Sequence, residues 1–182
     1  MAHRLISVTE ALGPFSGYHN VPAHRMDLAA ERGKEVHRMC AYYAAEAMEF
    51  QEPEPSLVGY FRSFKDWWDF AVEMSLGSEM ELRDEGLGFL GHPDLVVKIK
   101  GDKYYTVIDL KTPIALQKVW AAQLSAYKHL ADKQWPGMIK RIASLRLDKR
   151  GGLVKFKDYT DDRRDFTAFL SALNAYRFFL GE

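Results

Sequence analysis

The stretch FLGHPDLVVKIKGDKYYTVIDLK, residues 89–111, constrains this chain more than any other. Two runs rich in β-branched and aromatic side chains flank Gly101-Asp102. That is the pattern of two antiparallel strands, 89–100 and 104–111, joined by a two-residue turn. With those residues in the turn, Lys100 pairs with Lys103, and the same register sets Asp94 opposite Asp109. Facing side chains of an antiparallel pair have Cβ atoms roughly 4.5–5.5 Å apart. Two carboxylates that close destabilise a sheet unless something neutralises them. A divalent cation does so, and hard carboxylate oxygens suit Mg2+ or Mn2+. Lys111 shares the parity of Asp109 and projects from the same face, where it can position a water or offset charge on a phosphate. A bulge in the hairpin would shift the register by one and separate the two acids.

The second run ends in Thr112-Pro113, a good N-cap and a good first helical residue. The spacing predicts a helix from there to about Lys133, with Leu116, Val119, Trp120 and Leu130 on its apolar stripe. Upstream, periodicity predicts helices over 28–50 and 63–76, the second with Ser63 as N-cap and Phe64, Trp67, Trp68 and Ala71 facing the core. Residues 79–83 alternate charged and apolar side chains, as a half-buried strand does. Strands are expected over 139–147 and 153–157 around the turn DKRGG. A closing helix over 161–180 buries Phe166, Phe169, Leu170, Leu173 and Tyr176. This order gives an α/β fold: a mixed central sheet of about five strands flanked by helices, with an N-terminal helical cap. The 182 residues suit one domain, 1–182, with a loop and helical part (1–77) and a sheet core with flanking helices (78–182).

Formal charge is balanced, 25 Lys+Arg against 25 Asp+Glu, but unevenly spread. Residues 46–85 carry eleven acids and three bases, and residues 140–164 carry nine bases and four acids. The basic segment is either a solvated face or a surface for phosphates. No run approaches the ~18 apolar residues of a membrane span. The opening MAHRLISVTE lacks the apolar core of a signal peptide, so a cytoplasmic protein with no membrane partner is expected. A single cysteine, Cys40, rules out an internal disulfide and any zinc or iron–sulfur site built from several cysteines of one chain.

Two more features bear on the acidic pair. Gln123 and Tyr127, at i and i+4, interrupt the apolar stripe of the helix that follows the hairpin. A buried amide needs partners, either nearby backbone or the face that carries Asp109 and Lys111. His37 sits at the margin of the first helix's stripe, one turn after Gly33, and is either a packing residue or a ligand beside the acids.

Four motifs in order, ERGKEVH (31–37), GHPD (91–94), DLK (109–111) and QLSAY (123–127), resemble those of the PD-(D/E)XK nuclease superfamily, in particular its RecB-like branch, which includes phage exonucleases. ISVTEALG (6–13) looks like the opening of small phage members, and the resemblance spans roughly residues 5–130. It implies a restriction-endonuclease-like core and Mg2+- or Mn2+-dependent hydrolysis of DNA. By that resemblance Asp94 and Asp109 are the acidic metal ligands, His37 a histidine ligand, and the Leu110 backbone carbonyl a further one. Lys111 is the catalytic lysine, and Gln123 and Tyr127 border the site and the DNA. An acid on the first strand is also implied. Glu79 and Glu81 share a face, and Glu79 lies at the more typical distance before GHPD. The chain departs from several relatives in lacking four cysteines for an iron–sulfur cluster, and in carrying His92-Pro93 inside GHPD; His92 shares the parity of Asp94. The function so implied is an exonuclease of phage or bacterial recombination and repair. Its expected partners are DNA, a recombinase or single-strand-binding protein, and a second copy of the chain. The alternatives are a structure-specific endonuclease or nickase, and a DNA-binding nuclease-fold module acting with a partner helicase or recombinase.

Overall fold

Residues 105–110 are buried at every position, as a strand covered on both faces must be. The sheet is built around this strand. The structure, a computed structural model, describes residues 4–17, 22–47, 53–112 and 117–181. In chain order the elements are β1 (Ile6–Ser7), α1 (Val8–Leu12), a 3-10 turn (Gly13–Phe15), α2 (Ala23–Ala44), α3 (Val58–Ala71), β2 (Val72–Ser78), β3 (Leu82–Asp84), β4 (Phe89–Gly91), β5 (Leu95–Ile99), β6 (Tyr105–Lys111), α4 (Val119–Gln134), β7 (Ile139–Arg146), β8 (Lys155–Asp158) and α5 (Asp162–Phe179). Five strands form one sheet in the order β2-β5-β6-β7-β8, and β1, β4 and β3 form a second, smaller sheet. The large sheet is mixed: β6 and β7 run parallel, bridged by α4, and the other neighbours are antiparallel. This mixed sheet agrees with the restriction-endonuclease-like core that the family resemblance implied.

Alternation along β5 and β6 divides the core in two. Val96, Tyr105 and Val107 pack with Leu124, Tyr127, Leu130 and Phe169 from α4 and α5. Leu95, Val97, Ile108 and Leu110 pack with Val36, Cys40, Tyr60 and Phe64 from α2 and α3. Asp94, Asp109 and Lys111 have the parity of the first set, so they belong to the α4 face of the sheet. Trp67 and Trp68 pack against the second cluster as core residues.

The hairpin holds the expected register: Leu95 pairs with Ile108, Val96 with Val107, Val97 with Thr106 and Lys98 with Tyr105, with no bulge among them. The connection is wider than the expected two-residue turn: the last pair is Lys98 with Tyr105, so Lys100 does not pair with Lys103. Within the connection the Asp102 N–H donates to the Ile99 carbonyl, which makes Lys100 and Gly101, not Gly101 and Asp102, the central residues of a β-turn.

Other boundaries differ from expectation. α2 spans Ala23–Ala44 rather than 28–50, and residues 48–50 lie outside the described ones. α3 begins five residues before Ser63, and the Ser63 hydroxyl, instead of capping, accepts from the Asp148 N–H at 3.0 Å. The chain leaves the helix at Ala71, and Val72–Ser78 is an edge strand paired with β5. Lys100 secures that exit by donating to the Asp69 and Phe70 carbonyls, both at 2.9 Å. The run 89–100 is two strands, because His92-Pro93 breaks it and sends β4 to the small sheet. The strand expected at 79–83 forms later, as β3. Thr112 does not cap α4, which starts at Val119, while Pro113 and Leu116 lie outside the described residues.

One ionic cluster ties the small sheet to α4. The buried Asp84 carboxylate accepts from the Leu87 N–H at 2.9 Å, meets His129 at 2.7 Å and pairs with Lys133 at 2.9 Å. Burial opposes its charge, but Lys133, His129 and Leu87 outweigh that and hold its pKa well below the usual range. A carboxyl depressed on folding stabilises fully above its unfolded value, and that contribution is lost as pH falls toward the folded value. Asp84→Asn is therefore expected to cost roughly 2 kcal/mol at pH 7. The deficit should shrink below about pH 4, as chemical unfolding at a series of pH values would measure.

Candidate active site

The site assembles where β6 ends. The hairpin register, continued by one residue beyond its last pair, sets Asp94 against Asp109, and both are buried. Each oxygen of Asp94 has a partner. Oδ2 accepts from the Leu110 N–H at 2.5 Å, and Oδ1 lies 3.1 Å from His37 Nδ1. In extended backbone the N–H and C=O of one residue face the same neighbouring strand, so the Leu110 carbonyl also faces β5. α2 delivers His37, and the loop after β2 delivers Glu79, whose Oε1 is 3.8 Å from His37 Nδ1. Glu79 sits at φ 51°, a left-handed conformation uncommon for a residue with a Cβ. Its N–H donates to the Asp94 carbonyl at 3.1 Å, which helps to hold it there. One ligand atom each from His37, Glu79 and Asp94 lies within 4.8 Å of the others.

Asp109 stands beside this trio. Its Oδ2 is ion-paired with Lys111 and, among the described residues, has no hydrogen bond besides. Lys111 Nζ also donates to Gln123 Oε1 at 3.1 Å and lies 5.2 Å from the centre of the Trp120 ring. Gln123 Nε2 in turn donates to the Tyr127 hydroxyl at 3.1 Å. The tyrosine ring fits because Gly91 has no side chain: a Cβ there would come within 2.7 Å of Tyr127. The first letter of GHPD thus makes room for the last letter of QLSAY.

The ionisation states follow from burial and crowding. Burial, then the Asp94 charge, push Glu79 up to about 7. Burial pushes Asp109 up to about 6 despite Lys111. Burial also opposes the Asp94 charge, yet His37, Lys111 and the Leu110 N–H keep its pKa below the usual carboxylate value. His37 is pulled down by burial but lifted by Asp94, to about 9. Burial and the Asp109 charge push the Tyr127 hydroxyl far above its ordinary value, so it stays neutral.

A cavity of about 650 Å3 brings together His37, Glu79, Asp94, Asp109, Lys111, Gln123 and Tyr127. Glu81 is elsewhere: it hydrogen-bonds Arg83 at 2.6 Å and meets His92, itself on the cavity rim, at 3.4 Å. Sequence reasoning missed Lys34, Arg38 and Tyr42 on the cavity wall. Their signal was the helical spacing of Gly33, Lys34, His37, Arg38 and Ala41, which places them on the His37 side of α2.

The family model of the PD-(D/E)XK nuclease superfamily matches residues 19–177. No curated protein matches the chain. Among solved structures, the crystal structure of an alkaline exonuclease from Laribacter hongkongensis aligns with 97% of this chain and 91% of that one, at 11% identity and a TM-score of 0.42.

Proposed function

The chain belongs to the PD-(D/E)XK nuclease superfamily, and on that premise we propose that it is a deoxyribonuclease dependent on Mg2+ or Mn2+ that degrades DNA from strand ends. The observation that carries the reading is the convergence of Asp94, Asp109 and Lys111 with His37 and Glu79 in one cavity. The donor set fits a divalent cation. It is made of carboxylates and one imidazole, and two of its acids, Glu79 and Asp109, are pushed up by burial and by the Asp94 charge, a crowding of negative charge that a cation would offset. His37, Glu79 and Asp94 would hold the ion, with Asp109 and the Leu110 carbonyl alongside. The imidazole favours Mn2+ somewhat over Mg2+. When bound, the ion acidifies a water and neutralises phosphate charge.

The chain's own residues do the positioning. Lys111, aimed by Asp109 and Gln123, donates from Nζ to the attacking water or to a phosphate oxygen. Tyr127 stays neutral and receives the Gln123 amide, which keeps the other end of that amide on Lys111. The RecB-like motif set supports cleavage from ends. Linear duplex and covalently closed circular DNA, each incubated with Mg2+, Mn2+ or EDTA, provide the test. Linear DNA should disappear with either metal, circles should persist, and EDTA should stop the reaction. Cleaved circles would reassign the protein as an endonuclease. No cleavage under any condition would sink the nuclease reading and favour a DNA-binding module.

A further inference from the structure

The basic segment 140–164 contributes to a second cleft beside the site. About 680 Å3 in volume, it is lined by Arg32, Arg146, Lys149, Arg150 and Lys155, with Tyr60, Thr112 and Leu153 among them. We propose that this cleft holds the sugar-phosphate backbone of a single nucleic-acid strand as that strand runs into or out of the hydrolytic site. The direction of the strand rests on the nuclease reading; binding in the cleft does not.

Three observations carry it. The first is charge: among the described residues, the five cations share the cleft wall with one acid, Asp148, whose Oδ1 already accepts from the Arg150 N–H at 2.8 Å. A merely solvated charge run would not converge on a concavity. The second is continuity. Thr112 follows Lys111, Arg32 precedes the cavity residue Gly33, and Arg146 is the β7 partner of Lys111. The Leu147 N–H donates to the Lys111 carbonyl at 2.9 Å, so the cleft begins one residue from the site. The third is that the cationic wall is anchored. The Asp148 N–H reaches the buried Ser63 hydroxyl of α3, and the Gly151 N–H closes the turn on the Asp148 carbonyl at 3.0 Å. The backbone of Lys149 rests directly on Gly59, where a Cβ would fall 1.9 Å from the Lys149 carbonyl oxygen. Lys149, Arg150 and Lys155 are exposed on this seated loop and the strand that follows it, and Leu153, 92% exposed, offers an apolar contact to a sugar or base. Five cations spread over α2, β7, the loop and β8 suit a run of phosphates better than one.

The test is fluorescence anisotropy of a fluorescein-labelled strand of twelve thymidines, in EDTA so that nothing is cut, at a series of salt concentrations. The variant is Lys149→Gln/Arg150→Gln/Lys155→Gln, and its thermal melting checks folding. Each lost phosphate contact on a single strand lowers the salt slope by about 0.7, so the triple variant should bind at least tenfold more weakly with a slope reduced by about 2. Gly59→Ala should weaken binding through displacement of the loop alone. Unchanged affinity and slope in a folded triple variant would overturn the inference. So would equal wild-type affinity for a dinucleotide and the twelve-nucleotide strand, which would mark a pocket for one phosphate. Neither result depends on hydrolysis, so failure of the nuclease reading is seen separately, in the DNA degradation assay.

Discussion

Lys111→Ala is expected to lower the rate of DNA hydrolysis roughly 100- to 1,000-fold, the cost of removing one preorganised donor from a reacting phosphate. The size of the effect follows from how the ammonium is held. Its side chain is 13% exposed, ion-paired with Asp109 and bonded to Gln123, so it reaches the cavity in one orientation. The other cations on the cavity wall, Lys34 and Arg38, come from α2 and do not occupy its place. Lys111→Arg should rescue little, because a planar guanidinium does not reproduce the point charge between Asp109 and Gln123. Removal of Lys111 takes away the larger of the two opposite charges, Lys111 and His37, that hold the Asp109 pKa down against burial, so in the variant Asp109 should titrate higher still. Steady-state kinetics on linear duplex with saturating Mn2+ checks the rate, and anisotropy in EDTA checks that the strand still binds. Wild-type turnover in the Lys111→Ala protein would remove the lysine from the mechanism.

The features legible in the sequence are those set by local chemistry and parity. The register of β5 on β6 followed from two apolar runs and a glycine turn, and it survived a wider turn because Leu95, Val97, Ile108 and Leu110 must all reach one core. That register, a local property, is what sets Asp94 against Asp109. The illegible parts depend on partners far along the chain. Ser63 reads as an N-cap, yet its hydroxyl serves Asp148, 85 residues away. β2 reads as more helix because an edge strand needs no apolar alternation, and the stop at Ala71 is secured by Lys100 from the hairpin turn. β4 is lost from the hairpin to a parallel pairing with β1 that no local pattern announces. The choice between Glu79 and Glu81 lay beyond periodicity as well, since both have one parity and no regular strand carries them. A left-handed backbone at Glu79, tied by its N–H to Asp94, brings one into the cavity, and Arg83 with His92 holds the other outside.

Asp94→Asn should do more damage than loss of either neighbouring acid, because Asp94 joins the two halves of the site. One oxygen meets His37 and the other accepts the Leu110 N–H. An amide replaces one acceptor with a donor. Either the Leu110 N–H, in a buried position, loses its acceptor, or the NH2 faces His37 Nδ1. In both cases His37 loses the carboxylate that lifts it to about 9, so the imidazole is no longer anchored as a cation in the metal-free protein. Glu79 loses the charge that, after burial, does most to hold it at about 7, and its proton becomes easier to remove. That partial compensation does not restore a ligand. The trio within 4.8 Å keeps one carboxylate and one imidazole, too few to dehydrate a hard divalent ion. Mn2+ affinity should therefore fall more than 100-fold, beyond the 10- to 100-fold typical of losing a supporting group rather than a ligand. Calorimetric titration with Mn2+ measures this directly. Thermal melting gives a second readout, since Mn2+ at about 100 times its dissociation constant should stabilise the wild-type protein by about 2.7 kcal/mol. The same addition should leave the melting of Asp94→Asn almost unchanged. An equal Mn2+-induced rise in both proteins would place the ion elsewhere and detach the carboxylate pair from metal binding. His37→Ala combined with Asp94→Asn should cost less than the sum of the two single losses, since both remove the same contact.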